Sequence, residues 1–286
     1  MLPSLQDATN GLLLFAIVVL IACVVWAYRY AERRVRDGDA GHHPRWRSVS
    51  FYTGLFLMTV VFTSPFAMTG RGLLSLETIQ HILLLQVTAP LLLLGRPTQL
   101  LLEVMPPGKR VAVLRFVVRK LKAYPFLYTL MTIGPILAFN GIIVGWHLPS
   151  TFSAAMEQPV THWIMHVMFV MTALLFWWGI LMPMHRQLHL RTVWTLVALV
   201  FTMIVNKIFG GMLLLADGAI YSFNAADRPW GMSALADQQV AGLILISFGI
   251  IFYGSLVFSI LTRALLRSEK DQERRERMYG ISRLPS

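Results

Sequence analysis

Four histidines of this chain sit where a histidine is costly. His81, His147, His162 and His166 lie within, or at the rim of, long apolar runs, and an ionisable side chain in such a run is a functional candidate by default. His162 and His166 are spaced i, i+4, which aims both imidazoles along one helix face. Glu77 precedes His81 by the same interval and shares its face. Asp237, Lys207 and several methionines fall in the same layer: Met165 and Met168 flank His166, while Met58, Met68 and Met212 occupy neighbouring runs. Imidazole with thioether is a ligand set that suits copper, and thioether favours Cu(I); magnesium or calcium would demand oxygen. The expected metal ligands are therefore His81, His147, His162 and His166. Glu77, Asp237, Met165 and Lys207 are the expected auxiliary groups around them.

Each of these residues also has a structural reading. A lone intramembrane histidine often only hydrogen-bonds one helix to another, and methionines more often pack than ligate. Asp237 could cap the helix it begins, and Lys207 could pair with Asp237 or Glu77. His185 and His189 repeat the i, i+4 spacing in a short basic turn, and His42 and His43 lie in a loop; neither pair has partners in view. Co-location therefore carries the metal expectation. A zinc protease is disfavoured because Trp163, not a glutamate, follows His162. Cys23 is the single cysteine, which excludes a disulfide within the chain and a cysteine-based zinc or iron-sulfur site. Bis-histidine haem ligation through His81 and His166, or a quinone-linked redox role, stays open because the two lie at matched depth. So does a copper or proton transporter, since intramembrane His, Glu and Lys are the usual relay groups.

The elements that must position these residues follow from composition. The chain has 286 residues, 56% hydrophobic and 14% charged, against about 25% charged in an ordinary soluble domain. Spanning helices need about 20 mostly apolar residues, and seven windows qualify, roughly 10–29, 47–69, 73–95, 125–146, 159–182, 191–215 and 237–262. The first lacks a basic leader and is followed by arginines, so it reads as a retained anchor. All but three of the 25 Lys and Arg fall on alternate connections, the exceptions being Arg71, Lys207 and Arg228. The expected fold is thus an all-α polytopic bundle of seven transmembrane helices, N-terminus outside and C-terminus cytoplasmic. In that frame His81 lies ~12 Å below the outer surface. The net charge of +11 records orientation and contact with anionic lipid, not a nucleic-acid partner. Within the bundle, 1–262, a basic amphipathic helix is expected over 108–124 on the cytoplasmic leaflet. A basic solvated tail follows from 263 to 286.

With the spans in place, the motifs resemble the CtaG-type cytochrome c oxidase assembly factors, a seven-span family associated with building the copper-containing oxidase of bacterial membranes. The resemblance runs from the third span to the seventh. It is carried by His81 followed by Ala89-Pro90-Leu91 and Gly95-Arg96-Pro97, by Trp146-His147-Leu148-Pro149, by His162 to His166 followed by Leu175-Phe176-Trp177-Trp178, by Gly211 to Ala216, and by Asp237-Gln238-Gln239 followed by Gly242. It implies a non-enzymatic factor of the bacterial inner membrane that holds copper transiently and helps supply it to the oxidase catalytic subunit, alone or with other assembly factors. Many members carry a histidine where this chain has Glu77. A carboxylate is the harder donor, so Glu77 either alters the site or orients His81 by accepting its other N–H.

Overall fold

A computed structural model describes residues 5–37, 43–63, 73–182, 188–221 and 231–278. His42, Met68, Arg71, His185, Arg186, Arg228 and Arg283 lie outside the described residues. Among those described, regular structure is helical throughout: α1 (Leu5–Asp37), α2 (Arg45–Thr63), α3 (Leu74–Ile82), a π-helical turn (Leu83–Thr88), α4 (Ala89–Leu94), α5 (Pro97–Val104), α6 (Pro107–Ala123), α7 (Pro125–Trp146), α8 (Pro149–Glu157), α9 (Pro159–Leu181), α10 (Leu188–Leu215) and α11 (Ala234–Met278). Among the described residues, five helical stretches are long and apolar enough to cross a membrane, the run Leu74–Val104 from α3 to α5 counted as one. A sixth crossing is formed if Leu130–Trp146 and Pro149–Glu157, bent by 72°, make one broken span. The chain is a multi-pass membrane protein of all-helical fold.

Proline placement explains several boundaries. Pro97, Pro107, Pro125, Pro149 and Pro159 each open a helix at its first position, where the missing N–H would have had no partner. The windows expected at 125–146 and 159–182 match α7 and α9 closely. α2 is described only as far as Thr63, short of the 69 expected. The tail expected to begin at 263 continues α11 without a break to Met278 and is exposed. The basic segment forms α6 as expected, with Val113, Leu114, Phe116 and Val117 exposed on its surface.

The segment from α3 to α5 is the central post. Two thirds of its most apolar window is buried (67%), against 11% for α1. α3 packs on α11, α4 packs on α2 and α9, and the π-helical turn packs on both α2 and α9. The main apolar cluster gathers Phe139, Phe152, Phe169, Phe176, Leu199, Leu213 and Tyr253 from five helices. α10 and α11 cross at glycine: a Cβ on Gly242 would lie 2.6 Å from the Gly210 carbonyl oxygen. That approach fits small-residue packing, the main source of helix association where lipid is as apolar as leucine.

Candidate metal centre

Glu77 is the hub of the site. It projects from the first turn of α3, fully buried, and His81 lies one turn on. The Glu77 Oε2 atom is 3.3 Å from His162 Nε2, 3.6 Å from His81 Nε2 and 3.8 Å from His166 Nε2. His162 and His166 come from one face of α9, with ring centroids 4.3 Å apart. One donor atom each from Glu77, His162 and His166 falls within a 4.8 Å group. All three histidines are buried, at 4% exposure or less.

His147 completes the ring of imidazoles. It stands at the C-terminal end of α7, partly buried, with its ring centroid 5.4 Å from that of His81. Its Nδ1–H donates to the Ile143 carbonyl at 2.7 Å. That bond sets the tautomer and leaves Nε2 as the free lone pair, the arrangement usual in metal-binding histidines. The Tyr221 hydroxyl donates to the His147 carbonyl at 2.6 Å and holds the chain there. Aromatic rings wall the cluster: Phe169 meets His81 edge-on at 4.7 Å, Phe62 meets His166 at 5.7 Å, and Phe152 of α8 stacks on His147 at 5.6 Å. α8, which sequence left as a connection, therefore closes one side.

Polar satisfaction separates a ligand set from a packed core. Glu77 Oε1, both ring nitrogens of His81 and Nε2 of His166 are buried with no hydrogen-bond partner. Each such group costs about 1–3 kcal/mol when left alone. Three imidazoles and one carboxylate that converge with a single hydrogen bond among them, His162 Nε2 to Glu77 Oε2 at 3.3 Å, fit a cation bound by nitrogen and oxygen donors.

The remaining expected groups are placed differently. Asp237 of α11 caps α3 across the interface. Its Oδ2 accepts from Leu74 N–H at 2.6 Å, and its Oδ1 accepts from Ser75 N–H at 3.1 Å and Ser75 Oγ–H at 2.5 Å. The helix that Asp237 caps is thus not the one it begins. No residue of its own neighbourhood caps α3, so Asp237 sets the height of Glu77 and His81. Lys207 is exposed and forms no ion pair with Asp237 or Glu77. Met165 is fully buried in the main apolar cluster. Met212 is 48% exposed, and Met58 packs between two smaller clusters.

Three features were not foreseen. A π-helical turn follows His81, a local widening that often marks functional sites; within it the Leu85 carbonyl takes the Trp177 indole N–H at 2.7 Å. Gln80, Gln86 and Thr88 are buried along the same post with side-chain atoms lacking partners. Gln238, beside Asp237, holds the chain after α10 by accepting from Ile220 N–H at 2.7 Å and donating to the Leu213 carbonyl at 3.2 Å.

The family model of the cytochrome c oxidase caa3 assembly factor (Caa3_CtaG) matches residues 25–267, a stretch that holds every residue of this centre. No curated protein and no solved structure matches the chain. The chain belongs to the cytochrome c oxidase caa3 assembly factor family.

Proposed function

We propose that this protein assists cytochrome c oxidase assembly without catalysing a reaction, by holding copper transiently at the Glu77, His81, His162 and His166 cluster, with His147 beside it. The observation that carries this is the convergence of three imidazole Nε2 atoms on one buried carboxylate oxygen. Its recipient is the oxidase catalytic subunit, reached directly or through other assembly factors. The positive-inside pattern supports seven spans in the bacterial inner membrane, with the N-terminus and the cluster on the outer side and the C-terminus in the cytoplasm. The exposed basic face of α6 then rests on anionic lipid.

Metal analysis of the purified protein tests the copper step. Wild type should retain copper, and His162→Ala with His166→Ala should abolish it; equal and negligible copper in both would overturn the reading. Deleting the gene and measuring oxidase activity with and without added copper tests the assembly step, where activity lost and then restored by copper is the expected result.

The competing chemistries fare unequally. Glu77 Oε2 lies within 3.6 Å of His81 Nε2 and 3.8 Å of His166 Nε2, which is where a porphyrin plane between those histidines would have to pass. The buried Gln86 and Thr88, within the π turn and farther along the post from Glu77 than His81 is, favour transport as the second reading. Copper uptake into proteoliposomes would support it, and absence of uptake would leave the donor role.

A further inference from the structure

The spacing around Glu77 carries more than the presence of a metal. Were the carboxylate simply paired with a protonated imidazole, one N–H···O distance should close to about 2.7–2.9 Å. The three distances are 3.3, 3.6 and 3.8 Å; the first, to His162, is a hydrogen bond but a long one, and the other two are longer still. Donors bound to one ion at about 2.0–2.1 Å stand about 2.8–3.4 Å from one another, from the cis positions of a tetragonal shell to the vertices of a tetrahedron. The Glu77 oxygen stands at the upper end of that spacing from His162 and a few tenths of an ångström beyond it from His81 and His166, close to where one donor of a coordination shell stands from the others.

Resting on the copper reading above, we infer that Glu77 is itself a metal ligand and that it makes this a centre for Cu(II) rather than Cu(I). Two physical effects act in the same direction. A carboxylate oxygen is a hard donor, matched to the divalent ion and not to the soft monovalent one. Its negative charge also attracts a +2 ion twice as strongly as a +1 ion at the same distance, and the site is buried, so water screens that difference little. The expectation of Cu(I) came from thioethers. The donors gathered here are instead three imidazoles and a carboxylate, while Met165 is buried in the main apolar cluster and Met212 is exposed.

The test compares both ions on wild type, Glu77→Gln and Glu77→His, each purified in detergent and freed of metal. Cu(II) is titrated with electron paramagnetic resonance as the readout, and Cu(I) is titrated anaerobically against a chromophoric chelator. Since even residues that only support a ligand shift affinity by about 10–100-fold, Glu77→Gln should weaken Cu(II) by at least about tenfold. Its effect on Cu(I) should be several times smaller. Glu77→His, which restores a neutral donor, should recover Cu(I) binding and add nitrogen coupling to the residual Cu(II) spectrum. Cu(II) affinity unchanged in Glu77→Gln, or an equal fall for both ions, would overturn the inference. Wild type that binds Cu(I) tightly and Cu(II) weakly overturns the inference alone and leaves copper donation standing. Wild type that binds neither ion overturns both.

Discussion

The two ends of the central post treat polar groups in opposite ways. At one end, Glu77, His81 and His166 converge at 3.6 Å or more and leave four buried polar atoms without hydrogen bonds. At the other, where α1, α2 and α4 meet, most polar groups are closely paired, with Arg47 Nε a buried exception. Ser48 Oγ–H donates to Glu32 Oε1 at 2.5 Å, Tyr52 O–H donates to Glu32 Oε2 at 3.2 Å, and Arg36 pairs with Glu32 at 2.7 Å. Tyr28 O–H donates to the Gly95 carbonyl at 3.0 Å, meets His43 Nε2 at 3.2 Å, and stacks on Phe51 at 3.8 Å. Gly95 is required there, since a Cβ would lie 2.6 Å from Phe51 Cβ. The second end spends its polar groups on the fold. The first leaves most of them unpaired, at a cost in stability, as the proposed ion site would require.

That contrast can be broken by substitution. The largest effect belongs to His162→Ala combined with His166→Ala. Copper retention should fall by on the order of 100-fold or more, while the melting temperature in detergent changes little, because His166 Nε2 is unpaired and His162 gives up one long hydrogen bond, to Glu77 at 3.3 Å. A large drop in melting temperature would show instead that the histidines are structural. Glu32→Ala should do the reverse. Loss of three partners on a largely buried carboxylate predicts destabilisation of about 2–3 kcal/mol with copper affinity unchanged, checked by denaturant unfolding in micelles and by metal titration.

Asp237→Ala tests the coupling between fold and site. Removing an N-cap costs about 1–2 kcal/mol, and α3 would then lose the anchor that sets Glu77 and His81, so stability and copper affinity should fall together. Unaltered affinity would show that packing alone sets the height of α3. The smallest effect concerns pH. Burial, with Arg47 nearby, holds His43 below its ordinary value of 6.5. A depressed histidine is neutral when folded and gains its proton more readily when unfolded, so its contribution is intact above about pH 6.5 and is lost as pH falls below that value. Melting temperature should decline on acidification below pH 6.5, and His43→Gln should flatten that slope.

Much of the helical framework was legible in sequence. Apolar windows located α7 and α9 almost to the residue, and the i, i+4 interval placed His162 and His166 on one face of α9. The α6 segment was legible from its interleaved basic and apolar residues. What could not be read was the direction of a group relative to other helices. Asp237 looked equally able to cap its own helix, bind a metal or pair with Lys207; it caps α3, 162 positions earlier for Ser75. Glu77 was an auxiliary group by spacing alone, and His81 its neighbour on one face. Only the approach of α9 to α3 makes Glu77 the point where three imidazoles meet.

The division has a physical cause. Hydrophobic length, charge distribution and helical periodicity are properties of contiguous residues, so sequence by itself determined that the chain is a helical membrane protein with histidines in one layer. Which side chains touch depends on the rotation of each helix against its neighbours. That rotation is set by contacts such as Gly210 on Gly242 and by the π turn after His81, which shifts the register of everything beyond it. Tertiary structure therefore decided that Glu77 stands at the centre and Lys207 outside it.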